Sequence, residues 1–230
     1  MANISLEQVL HCLYDICAHP EYIGPLREEI ESVLAEDNNQ LTKKSMTKLR
    51  KLDSFIKESQ RLSPPGLGKC NSIPHVLEIV VTYSLSIVAM RRLVLSDIIL
   101  SDGTTLPKGT SIAAPSWGVT QDSALWTDPD TFDGFRFAKL RDVPGSENKH
   151  QFVMTGPDSL SFGYGTQACP GRFFASNEIK VLLSHILLNY DVKLETSKRP
   201  ENRFFALSIL PDTTAKVLFK RRNLDAKGGT

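Results

Sequence analysis

The stretch FGYGTQACPGRFFASNEIK, residues 162–180, constrains this chain more tightly than any other. Gly163, Gly165 and Gly171 surround one cysteine, Cys169, and one proline, Pro170, and a helical pattern starts directly behind them. Glycine admits backbone conformations and close approaches that other residues resist. Proline stops the following helix from extending back into the loop. The stretch therefore predicts a tight loop that fixes Cys169 just ahead of a helix N-terminus.

The rest of the chain falls into segments of distinct texture. Leu6, Val9, Leu10, Leu13 and Cys17 recur at helical spacing, as do Ile23, Leu26, Ile30, Val33 and Leu34. Met46, Leu49, Leu52, Phe55 and Ile56 mark a third helix, which the prolines of SPPG at 63–66 terminate. Residues 91–115 read as short strands separated by Asp-Gly and Pro-Lys-Gly turns. Residues 116–160 read mostly as ordered loop. A last helix is predicted over about 172–189, with Phe174, Ile179, Leu182, Leu183 and Ile186 on its apolar side, then strands around 204–210 and 215–219. The fold class expected is mainly α with a small β region (α+β).

Composition excludes several function classes. A net charge of +1 leaves no electrostatic footprint for nucleic acid. The four cysteines, Cys12, Cys17, Cys70 and Cys169, form no CxxC pair, which argues against structural zinc and against a disulfide scaffold. Cys12 and Cys17 are expected as small core residues. The N-terminal MANISLEQ has no signal or anchor pattern. The most apolar run, 79–90, is about a dozen residues where a membrane span needs roughly 20. As written, the chain is expected to be soluble.

Three readings compete for the cysteine loop. One is a glycine turn around a buried thiol. A second is a dinucleotide fingerprint, since Gly163, Gly165 and Ala168 fit GxGxxA. That motif needs an apolar strand before it and a helix opening on it, whereas Pro-Asp-Ser-Leu-Ser precedes and Cys-Pro-Gly intervenes. The third is a thiolate ligand to haem iron, which must be fixed, shielded and given backbone N–H bonds. Glycines let the chain wrap the sulfur, Phe162 shields it, and the helix N-terminus favours negative charge at Cys169.

Phe162, Gly165, Cys169 and Gly171 match F-x-x-G-x-x-x-C-x-G, which resembles the haem-binding loop of the cytochrome P-450 family. FFASNEIK resembles the helix behind that cysteine in fungal microsomal members. Two further features carry the likeness. KESQR places Glu58 and Arg61 three apart on one helix face, like the family's E-x-x-R. PDTFDGFRF supplies Arg136, the arginine that in the family joins that pair. HPEYIGPLREEI resembles the helix before E-x-x-R.

The resemblance implies the C-terminal, haem-binding half of that fold, with Cys169 as proximal iron ligand, a thiolate whose electron donation favours O–O cleavage. It places Arg92 toward a haem propionate. Gln167 stands where the family usually carries Arg or His toward the other propionate, and it brings no charge. Phe162, Gly163, Gly165 and Gly171 complete the cofactor set. The implied activity inserts one oxygen atom of O2 into a hydrophobic substrate of secondary-metabolite type, with electrons from an NADPH-dependent flavoprotein reductase at the endoplasmic reticulum membrane. The alternative is a non-catalytic fragment, because the family's anchor and most of its distal oxygen-activating helix have no counterpart here. Leu67, Phe204 and Phe205 are the expected pocket contributors. Residues 68–87, GKCNSIPHVLEIVVTYSLSI, resemble nothing in the family, and either a retained intron or a surface insertion accounts for them.

Overall fold

The computed structural model describes residues 2–64, 88–196, 198–205 and 208–223. Leu67, Cys70 and the segment 68–87 lie outside them, as do the side chains of Phe205 and Ser208. Four helices open the chain: α1 (Ala2–Ala18), α2 (Ile23–Glu36), α3 (Lys43–Lys48) and α4 (Arg50–Leu62). The apolar faces of α1, α2 and α4 follow the 3.6-residue period, except that Leu6 of α1, expected inward, is 56% exposed. Cys12 and Ile16 of α1, Leu26 and Ile30 of α2, and Leu52, Phe55 and Ile56 of α4 meet in one core. Cys12 is fully buried and Cys17 packs at the core margin, as expected.

The single helix expected over 46–56 is two helices, broken at Leu49 (φ −73°, ψ 69°). Both helices are capped at their N-termini. Thr42 Oγ1 accepts the Ser45 amide at 3.2 Å to start α3. At α4 the cap comes from another element: the Glu29 carboxylate of α2 accepts the amides of Lys51 (2.7 Å) and Leu52 (2.9 Å). Burial raises the Glu29 pKa, and these two amide bonds oppose that rise. Helix α4 is buried along its length, from Leu52 to Arg61.

The strands are short and antiparallel. β1 (Ala89–Leu93) pairs with β4 (Ser111–Ala114), and β2 (Ile98–Ile99) with β3 (Thr105–Leu106). Where loop was expected, α5 (Ser116–Thr120) and α6 (Arg136–Arg141) interrupt the 116–160 region. Helix α7 (Arg172–Asn189) has the predicted bounds and packs against α1 and α2. It runs straight into β5 (Tyr190–Leu194), a strand not foreseen, which pairs with β8 (Val217–Arg221). β6 (Arg203–Phe205) and β7 (Ser208–Leu210) form a separate hairpin.

The buried stripe of α7 differs from the one expected. Ser176, Ile179, Lys180, Leu183, Ser184 and Leu187 face the core at spacings of one, three and four. Phe174 is 67% exposed and Leu182 sits at the boundary, so neither anchors the helix. Hydrophobicity alone assigned them inward, because it cannot see that Lys180 has a buried partner.

Candidate functional site

Glu58 on α4 is the centre of a buried charge network. Its carboxylate accepts Arg61 Nε at 2.8 Å and Arg61 Nη2 at 2.9 Å. It also accepts Arg136 Nε at 3.1 Å and the Asp133 amide at 3.0 Å. Two guanidinium groups on one carboxylate leave spare positive charge, which carbonyl oxygens absorb. Arg61 Nη1 donates to the carbonyls of Thr120 (2.8 Å) and Pro129 (2.7 Å), and Arg136 Nη1 to that of Thr127 (2.6 Å). A helix is thereby fastened to an irregular loop whose backbone could not satisfy itself.

A second network, which the sequence did not announce, fixes the next stretch. Asp53 pairs with Lys180 of α7 at 2.6 Å and lies 3.7 Å from Arg141. It also accepts the Phe152 amide at 2.8 Å. Lys180 Nζ donates to the Met46 carbonyl at 3.1 Å. Beside it, Lys57 donates to the Gln151 carbonyl at 3.1 Å and lies over the Phe137 ring. Burial pushes the Lys57 ammonium down to about 8. Asp53 and Lys180 thus lock α7, the helix behind the cysteine, to α4. The available signal was a lysine within the apolar stripe of α7.

The cysteine loop rests on this frame. The Cys169 amide donates to the Phe162 carbonyl at 2.8 Å, closing the loop on itself. Gly163 (φ 74°) and Gly165 (φ 67°) adopt left-handed backbone. At Gly163 an added Cβ would stand 3.2 Å from the Gln167 carbonyl oxygen, whereas at Gly165 it would meet nothing within 4 Å. The Phe162 ring meets Phe152 edge to face at 5.2 Å, so it anchors the loop inward. Arg172 donates to the carbonyls of Val153 (3.2 Å) and Cys169 (2.8 Å). Gly171 caps α7 with φ −81°, an ordinary value. Cys169 is a half-buried free thiol.

The predicted residues thus separate into two places. Phe162, Gly163, Gly165, Gln167, Cys169 and Gly171 share the loop, Gln167 exposed within the 3-10 turn Gly165–Gln167. Arg92 lies on β1 opposite Ile112, exposed, its guanidinium donating to the Arg91 carbonyl at 2.8 Å. Among the described residues no three His, Cys, Asp or Glu side chains form a metal cage. One thiol suits a metal that brings its other ligands with it, as iron in a macrocycle does. The open side of Gly165 leaves room beside the loop. On the thiol side, the residues present fit haem.

Geometry and chain together define a helical protein that presents one thiol from a glycine loop at a helix N-terminus and fastens a separate loop through a buried Glu–Arg–Arg network. The chain belongs to the cytochrome P450 family, whose sequence model matches residues 8–81 and 77–219. It is 46% identical over 213 residues to a cytochrome P450 monooxygenase of Emericella nidulans, covering 92% of this chain and 36% of that protein. A Penicillium roqueforti cytochrome P450 monooxygenase is 46% identical over 216 residues, 93% of this chain and 36% of its own. One from Botryotinia fuckeliana is 46% identical over 213 residues, 92% of this chain and 39% of its own. The chain therefore spans well under half the length of these curated relatives. Membership of the family implies haem as cofactor. Among the described residues no helix is long and apolar enough to cross a membrane.

Proposed function

We propose that this chain forms the C-terminal, haem-thiolate side of a monooxygenase acting on a hydrophobic small molecule of secondary-metabolite type. The observation that carries the reading is Cys169, a half-buried free thiol whose loop is closed by its own amide and anchored through Phe162 on Phe152, whose amide donates to Asp53. Haem, when bound, supplies the iron centre at which O2 is reduced, one oxygen atom entering the substrate and the other leaving as water. Cys169 would hold the iron, and Gly163, Gly165 and Gly171 would let the backbone pass close beneath the macrocycle. Arg92 and Gln167 would face its two carboxylates, Arg92 with charge and Gln167 with hydrogen bonds alone. The electron donor would be an NADPH-dependent flavoprotein reductase, and the full-length enzyme would sit at the endoplasmic reticulum membrane. Residues 68–87 are proposed as a segment foreign to the family. The family match falls into two pieces that meet inside that segment, which supports this.

A second reading, a non-catalytic fragment, draws on exposed apolar surface. Leu95 (76% exposed), Ile99 (74%) and Phe174 cover no core of their own. One spectrum separates the readings. The reduced, carbon-monoxide-treated wild-type protein should give the Soret band of thiolate-ligated haem, and Cys169→Ser should lose it. Wild-type protein recovered without haem, and unable to take it up, leaves the fragment reading standing.

A further inference from the structure

Lys57 is buried in α4, and a cation so placed is costly unless something answers it. Its ammonium donates to the Gln151 carbonyl at 3.1 Å and lies over the Phe137 ring, 4.7 Å from the centroid. One residue on, the Phe152 amide donates to Asp53 at 2.8 Å. Asp53 and Lys57 are four apart on α4, hence neighbours on one face. The carbonyl and the amide they hold belong to one peptide unit, the one joining Gln151 to Phe152. A peptide is planar, so fixing its oxygen and its N–H together fixes the whole unit. Residues 151–153 belong to no helix or strand, and these two side chains stand in for the backbone partners the peptide lacks.

From that peptide two contacts run to the cysteine. The buried Phe152 ring meets Phe162 edge to face at 5.2 Å, and the Phe162 carbonyl accepts the Cys169 amide at 2.8 Å. The Val153 carbonyl accepts Arg172 Nε at 3.2 Å, and Arg172 Nη1 donates to the Cys169 carbonyl at 2.8 Å. Phe152 and Val153 thus reach both polar groups of the Cys169 backbone, its N–H and its carbonyl. We propose that Lys57 is a positioning residue for the Cys169 thiol: by holding the 151–152 peptide against α4, it sets where Phe162 and Arg172 place that backbone. The proposal deepens the reading of Cys169 as iron ligand, which gives a fixed thiol its use. Lys57 is more informative here than Asp53. Asp53 also pairs with Lys180 of α7 at 2.6 Å and so reaches the loop by a second route. Lys57 has no hydrogen bond or ion pair with α7 or the cysteine loop among the described residues.

Two readouts on the full chain test the proposal. One is amide exchange, with or without haem. The other is iodoacetamide alkylation of the haem-free protein, read on the peptide containing Cys169 so that the other cysteines do not count. Lys57→Met keeps the length and the apolar stem but removes the donor. In it, exchange at the Phe152 amide should accelerate at least about tenfold, the factor that one lost charge-assisted hydrogen bond implies. The Cys169 amide should follow by at least about threefold, while the Ile30 and Val33 amides of α2 stay within about twofold. Alkylation of Cys169 should rise at least about threefold as its loop loosens. Lys57→Gln, a milder change that keeps a shorter, neutral donor, should show the same pattern at reduced size. Lys57→Arg, which keeps a charged donor, should come nearest to wild type. Acceleration at Phe152 with none at Cys169, or equal acceleration in α2, would overturn the proposal. Failure of the haem reading shows instead as a wild-type protein without a Soret band, and leaves both readouts intact.

Discussion

His11 lies fully buried on α1, one turn before Asp15, and neither ring nitrogen has a hydrogen-bond partner among the described residues. Burial, assisted by the nearby Arg199 cation, pushes its pKa down to about 3 from the usual 6.5. The folded protein therefore keeps His11 neutral while the unfolded chain binds a proton below pH 6.5. Stability is unaffected above that value and falls as pH drops from 6.5 toward 3. Between pH 7 and pH 5 this one group is expected to cost about 2 kcal/mol. Urea titrations at both values should show the wild type losing about that much more than His11→Leu. Equal losses would mean that the ring finds a proton partner inside the fold. At this same scale the cysteine loop and the Glu58 network were legible as local patterns. Cys169, Glu58, Arg61 and Arg136 were found because each belongs to a short pattern of unusual residue types. Asp53 and Lys180 were not, because a lone charge in an apolar stripe carries no spacing that names its partner.

Among the elements, α4 bears the most consequence, since its polar face is as buried as its apolar one. Removing the carboxylate of Glu58 would leave the buried Arg61 and the half-buried Arg136 with only carbonyl partners. Glu58→Ala should cost about 3–5 kcal/mol, read as a lowered denaturation midpoint. A loss below about 1 kcal/mol, the scale of an exposed pair, would show that the network is solvated. Helix bounds were readable where the period was strong, as at α7, whose ends match those expected. The break at Leu49 was not readable, because Glu29, the group that caps α4, sits on another helix. Likewise, the exposure of Phe174 follows from where Lys180 must point to reach Asp53 and Met46.

For the whole molecule, the segment 68–87 is the largest open matter, since it separates Pro64 from the strand carrying Arg92. If it is a retained intron, transcripts should be found in which the codons for these residues are spliced out. Transcripts that uniformly keep them would establish a true insertion. The exposed apolar side chains on β2, α7 and β6 belong to this scale as well, and so does the share of the relatives' length that the chain spans. By itself the sequence determined the family, the cysteine loop, the E-x-x-R pair with its third arginine, and the mainly helical class. These rest on local patterns that survive without knowledge of neighbours. Only the tertiary structure decided which face of α7 is buried, what caps α4, and which charges hold the cysteine loop. Those depend on partners distant in the chain, such as Asp53 with Lys180 and Lys57 with Gln151, and distance in sequence leaves no periodic trace.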